Sequence, residues 1–208
     1  MKDLLAQGRT LNEFNLPSPQ NPLINDPNRA LNDFFFPNNV SDDEMDETID
    51  TSALERANLN NEQYNFFTLI RDSVLDSQST NKLFYLSCDG GTGKTFLLNY
   101  ILYQLRRLNL KVLPTASTGI AATKFYVGGM TVHSTFRLGI NVEVGVVPPI
   151  QLDSYFGRRI IQADVIIIDE ITMLNKIIFE NIDLLCRTLI PQRQNVPFGG
   201  KVVILSGD

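Results

Sequence analysis

The sequence predicts an α/β fold: a mainly parallel sheet with helices on both faces, preceded by an irregular acidic arm. Three observations lead there. A short apolar run from Lys82 to Ser87 enters a glycine-crowded turn, Gly90-Gly-Thr-Gly-Lys-Thr95, and a helical period follows from Lys94 to Leu108. A continuous β-branched run, Val165 to Ile168, ends in Asp169-Glu170, as a buried parallel strand with ligand groups at its carboxyl edge would. Charge is also divided: residues 1–55 hold 3 Lys/Arg and 11 Asp/Glu, a net of −8, whereas the remainder holds 15 and 12, a net of +3.

The glycine turn carries the most chemistry. Gly90, Gly91 and Gly93 let the main chain turn tightly, so that successive N–H groups converge on phosphate oxygens. The following helix N-terminus adds its dipole and free donors to the anion site, which Gly90, Gly91, Thr92, Gly93, Lys94 and Thr95 would form. Lys94 is placed to reach the β- and γ-phosphates of ATP, and the Thr95 hydroxyl to ligate magnesium. A glycine-rich hairpin is the plain alternative, and the order strand, loop, Gly-Lys-Thr, helix speaks against it. The standard spacing puts glycine six positions before the lysine; here that residue is Cys88, followed by Asp89. A left-handed Cys88 would store about 1–2 kcal/mol of strain. An Asp89 carboxylate ~8 Å from phosphate, at an effective dielectric of ~20, would cost roughly 2 kcal/mol per unit charge before screening.

At 208 residues and 43% hydrophobic content, the chain can bury one substantial core. No apolar run approaches the ~18–20 residues of a membrane span. Cys88 and Cys186 lack metal-ligand spacing, so a reduced intracellular setting is the default. Residues 1–58 read as an arm, broken by prolines at 17, 19, 22, 27 and 37, with six acids between Ser41 and Asp50. Residues 40–56 should therefore lack a fixed position. Two apolar patches, Leu11–Leu16 and Leu31–Phe36, have no assigned partner.

Ordered structure is expected from residue 59 to 208. Asn61 to Asp76 predicts a helix capped by Asn58 or Asn60, with Tyr64, Phe67, Leu69, Ile70, Val74 and Leu75 on its apolar face. Gln63 at its start is either solvated or reads an adenine edge. Leu110–Pro114 predicts a second strand leading into Thr115-Ala-Ser-Thr-Gly-Ile-Ala-Ala-Thr123, where small residues suit either phosphate contact or a helix start packed on the sheet. Gly128 to Phe136 pairs a glycine turn with His133, the only histidine, which composition alone makes structural. Residues 139–150 read as a loop, Gln151–Gln162 and Asn175–Ile190 as helices with Cys186 packed as a small apolar group, and Lys201–Leu205 as a last strand. Asp169 can hold magnesium through water, and Glu170 can act as the general base on the attacking water. That pairing requires a strand between the loop strand and the acidic strand. The predicted order is thus 83–87, 201–205, 164–168, 110–114, all parallel.

With these segments in order, the chain resembles the superfamily-one DNA helicases of the petite-integration-frequency type, which run 5′ to 3′, and especially their Helitron-transposon relatives. The likeness covers about Leu59 to Asp208. It rests on Gly-Thr-Gly-Lys-Thr at 91–95, Thr-Gly-Ile-Ala-Ala at 118–122, Gly-Gly-Met-Thr-Val-His-Ser at 128–134 and Phe-Gly-Gly-Lys at 198–201. Leu11–Pro17 also resembles a stretch upstream of the core in Helitron-type proteins. The resemblance implies a RecA-like P-loop NTPase with ATP and Mg2+ as cofactors, Gln63 reading adenine, Asp169 holding magnesium and Glu170 as base. It also implies single-stranded DNA as partner, contacted by Thr115, Ser117, Thr118 and Gly119 and by Thr131, His133 and Ser134, with Phe136 as a stacking platform. Roles in repair, recombination or telomere maintenance and a nuclear location come from the resemblance alone. In the family the strand Val202–Leu205 leads through Gly-Asp to a sensor glutamine, and a second motor domain supplies arginines. The sequence stops before both and is read as a helicase fragment that binds ATP–magnesium without turning it over. The rivals are an inert nucleotide- or DNA-binding transposon remnant, which Cys88 and Asp89 favour, and a small-molecule kinase, which the adjacent Asp-Glu opposes.

Overall fold

The computed structural model describes residue 54 and residues 57–87, 89–139 and 142–208. The expectations placed on most of the acidic arm and on Cys88 lie outside these residues. Helix α1 spans Asn61–Leu75, β1 Leu83–Ser87, α2 Lys94–Arg107, β2 Val112–Ala116, α3 Gly119–Ala122 and β3 Met130–Thr131. Then come α4 at Val132–Thr135, α5 at Tyr155–Gln162, β4 at Val165–Asp169, α6 at Lys176–Leu189 and β5 at Val202–Gly207.

The sheet runs β1-β5-β4-β2-β3 with every neighbouring pair parallel, which is the predicted order with one short strand added at the edge. β4 is central and buried along its whole length, as its unbroken β-branched run requires. Alternation then divides the core. Val165 and Ile167 pack with Val202, Ile204 and the apolar sides of α1 and α2, while Ile166 and Ile168 pack with Val203 and the apolar sides of α5 and α6. Helices thus cover both faces, as expected.

Several boundaries differ for identifiable reasons. β2 begins at Val112 because α2 ends through a left-handed Asn109, after which the Leu110 N–H donates back to the Leu105 carbonyl. α5 begins at Tyr155 because Ser154 caps it, its side chain accepting from the Gly157 N–H. The Gln151 carbonyl folds so closely over Gly157 that a β-carbon there would lie 2.1 Å away, so residues 151–154 cannot extend the helix. On α1 the predicted face is half right. Phe67 and Ile70 are buried, but Tyr64, Leu69 and Leu75 are exposed, and Ser73 is buried instead.

Cys186 is fully buried on α6, and burial pushes its thiol up to about 12. It is a packing group, protonated at neutral pH.

Phe136, expected as a stacking platform for DNA, is fully buried in the core beneath α4 and cannot meet a base. Ile120, by contrast, is 79% exposed. Phe136→Ala should therefore cost about 3–5 kcal/mol in urea unfolding, whereas Ile120→Ala should stay within about 0.5 kcal/mol of wild type.

Candidate nucleotide site and DNA surface

The loop after β1 is shaped by two left-handed glycines, Gly91 and Gly93, a conformation that L side chains resist. Gly93 is also the N-cap of α2 and carries no side chain to occupy the first helical N–H groups, which leaves them as donors for an anion. Inside the loop the Thr92 hydroxyl donates to the Asp89 carbonyl at 2.7 Å. The Asp89 residue itself is exposed.

Gln63 lies beside this loop. Its Nε2 would be 3.5 Å from a β-carbon built on Gly93. Its Oε1 accepts from the Asn60 N–H at 3.1 Å, and Asn60 Oδ1 accepts from the Gln63 N–H at 2.8 Å. This capping box is a structural role in its own right, and it also fixes where the amide of Gln63 sits.

Lys94, the first residue of α2, extends among acids drawn from two other strand ends. Its ammonium is bonded to the Asp208 carboxylate, and Glu170 Oε1 lies 3.8 Å away. Burial works against the lysine's charge, yet the hydrogen bond to Asp208 and the charges of Glu170, Asp208 and Asp169 together hold it above its ordinary range. Asp169 closes β4 and is 2% exposed. Its Oδ1 accepts from the Ser206 hydroxyl and, at 2.9 Å, from the Glu170 N–H. Glu170 is left-handed, with φ 55° and ψ 47°, a conformation costing about 1–2 kcal/mol in a non-glycine residue. That turn departs from the strand's path immediately after the buried aspartate and leaves the Glu170 carboxylate near Lys94.

The residues expected to bind magnesium fit a hard, oxygen-seeking cation. The described residues offer no hydrogen bond to the second oxygen of Asp169 or to the Thr95 hydroxyl. Thr95 and Asp169 would hold such an ion, whose other ligands would come from phosphate and water, the usual habit of magnesium.

The segments expected to contact DNA come together through β3. Its parallel pairing with β2 sets Thr115 beside Met130 and Ala116 beside Thr131. Thr118 caps α3 by accepting from the Ala121 N–H at 3.2 Å. Thr131 caps α4 by accepting from the Ser134 N–H at 3.2 Å, and its hydroxyl bonds that of Ser134 at 2.9 Å. Gly119 and Ser134 are exposed, and Ser117 and His133 are half-buried. Thr115 departs from expectation. It is fully buried, and its hydroxyl donates to the Ile167 carbonyl at 2.7 Å across to β4, so its side chain serves the sheet.

Two residues in the site had no role assigned from sequence, Ser206 and Asp208. The predicted strand order was the available signal, since it sets the end of β5 between the phosphate loop and Asp169. A third feature had no signal at all: the Ser117 N–H donates to the Asp169 carbonyl at 3.0 Å.

A parallel sheet with a glycine phosphate loop, a lysine at the following helix start and an Asp-Glu pair across one intervening strand defines a P-loop nucleoside triphosphatase of RecA-like architecture. A family model described as PIF1-like helicase matches residues 58–208, and the chain belongs to that family. It is 32% identical over 163 residues to the ATP-dependent DNA helicase PIF4 of Trypanosoma brucei brucei, covering 76% of this chain and 19% of that protein. It is 37% identical over 139 residues to the ATP-dependent DNA helicase Pif1 of a Psychrobacter species, covering 65% of this chain and 20% of that one. Among solved structures, Pif1 helicase from Bacteroides in complex with ADP-AlF3 and single-stranded DNA superposes with a TM-score of 0.59 at 27% identity, over 73% of this chain and 32% of that one. The chain thus spans about a fifth of the length of these two curated relatives.

The lysine must leave Asp208 to meet a phosphate. Asp208→Asn should therefore tighten ATP binding severalfold, about 1 kcal/mol for a partly exposed pair. Calorimetric titration checks this, and an unchanged affinity would show that Asp208 does not compete.

Proposed function

We propose that this chain is the nucleotide-binding part of an ATP-dependent 5′-to-3′ DNA helicase, whose whole protein couples ATP hydrolysis to strand separation. The observation that carries the reading is the convergence of Lys94, Asp169 and Glu170 at the carboxyl ends of β1 and β4, on either side of β5.

The proposed cycle follows from charge exchange. Loop N–H groups from residues 90–95 bind the triphosphate, and Lys94 transfers from the carboxylates to the terminal phosphates. Glu170, released from the lysine, orients the attacking water and takes its proton. Thr95 and Asp169 would hold magnesium, which neutralises phosphate charge, while Ser206 keeps Asp169 turned toward it. Gln63 presents its amide to the adenine edge. Thr118, Gly119, Thr131, His133 and Ser134, with the backbone of Ser117, contact single-stranded DNA. A second motor domain contributes the arginines that stabilise the transition state, worth roughly 10³–10⁵ in rate. Repair, recombination or telomere maintenance and a nuclear location are proposed on the family resemblance alone.

Lys94→Ala should abolish ATP–magnesium binding by the chain. Glu170→Gln in the full-length gene product should keep that binding and lose DNA-stimulated turnover by at least about 10². Multiple-turnover hydrolysis by the 208-residue chain alone, lost in Glu170→Gln, would refute the need for a second domain. Absence of nucleotide binding at millimolar ATP, even in Asp89→Gly, would favour the inert remnant instead.

A further inference from the structure

The sheet has a second concave site at its other end. Where β1, β5 and β4 begin, the chain forms a half-open cavity of about 800 Å³, within the size range of small-molecule pockets. Three segments wall it: the turn from α1 into β1, the end of α5, and the passage from α6 into β5. The phosphate loop opens at the carboxyl ends of the same strands, so the two sites are separated by the length of the sheet.

The charge in this cavity is unbalanced. Among the described residues, Lys82, Arg193 and Lys201 line it against a single acid, Asp164. Asp164 is already engaged, its Oδ2 accepting from the Lys111 N–H at 2.8 Å. Lys201 is 5% exposed, and its ammonium donates to the carbonyls of Ile161 at 2.9 Å and Ala163 at 2.6 Å. An ammonium has three donors, so one remains. Lys82 likewise donates to two carbonyls, Ser73 at 2.6 Å and Asp76 at 3.2 Å. These bonds cap the ends of α5 and α1, which explains why lysines stand here. Among the described residues, they leave Lys201's charge without an anionic partner at ion-pair distance.

Arg193 supplies the second element. No described residue offers its guanidinium a hydrogen bond or a carboxylate. It lies along Gly200, whose φ is +80°, so closely that a β-carbon there would stand 3.0 Å from Nη1 and 3.3 Å from Cδ. The glycine therefore admits the arginine to the cavity wall. Burial lowers the pKa of Lys201 and the adjacent guanidinium lowers it further, while Cys186 and Asp164 act in the opposite direction.

We propose that this cavity binds a small phosphate-bearing ligand, with the oxyanion held between Arg193 and Lys201. A guanidinium and an ammonium on one wall suit tetrahedral oxyanions. The cavity's volume matches a small diffusible molecule.

The test is calorimetric titration of inorganic pyrophosphate into the 208-residue chain carrying Lys94→Ala, which silences the phosphate loop. Binding should persist there and weaken at least about tenfold when Arg193→Gln is added, the loss of one charge-assisted contact. Gly200→Ala should weaken it similarly by displacing the arginine. Arg193 is exposed, so its replacement does not endanger folding; Lys201→Met is a further arm if circular dichroism shows it folded. With Lys94 intact, Arg193→Gln should leave ATP binding unchanged. No pyrophosphate binding in the Lys94→Ala chain, or binding indifferent to Arg193→Gln, would overturn the proposal. So would a thymidine oligonucleotide that binds through Arg193 where pyrophosphate does not.

Discussion

A carboxylate buried at the end of a wholly buried strand is expensive unless its oxygens are satisfied, and Asp169 is such a group. Its requirements organise the molecule. Ser206 must approach it from β5, so β5 lies against β4; the Glu170 N–H must turn back toward it, so the chain adopts a left-handed kink. With β5 in that place, β1 is the next strand, and the loop that follows β1 delivers Lys94 to the same acids. Strand order, kink and lysine position all meet at this one carboxylate.

The same cluster explains how a lysine can be held ready for phosphate. Lys94 is largely enclosed, and burial works against its charge. Asp208 and Glu170 offset that cost and hold the side chain extended. In the proposed cycle an incoming polyanion would replace carboxylates with phosphate oxygens, so the lysine would change partners without first being desolvated from bulk water. That exchange would leave Glu170 free to orient water.

Much of this was legible in the sequence because it depends on local signals. The glycine loop, the β-branched run of β4 and the Asp-Glu pair each announce a backbone state, and together they dictate a parallel order with one strand inserted. What was not legible depends on packing between distant segments. Lys94 and Asp208 are 114 residues apart, and nothing in either neighbourhood declares the pairing. Phe136 follows a hydroxyl-rich stretch that reads as a surface, yet α4 is only four residues long and turns the ring inward. Thr115 suits a phosphate contact by type, but it stands on a strand buried on both faces and bonds across it. On α1, apolar type alone overestimated the buried face: only part of the helix touches the sheet, and Tyr64, Leu69 and Leu75 remain in solvent.

The hydrogen bond from the Ser117 N–H to the Asp169 carbonyl ties two peptide groups that belong to different tasks. One leads into Thr118 and Gly119 on the outer surface; the other leads into the left-handed turn at Glu170. The two peptides are therefore held at hydrogen-bond distance by main-chain atoms alone, a joint that uses no side chain that substitution could remove.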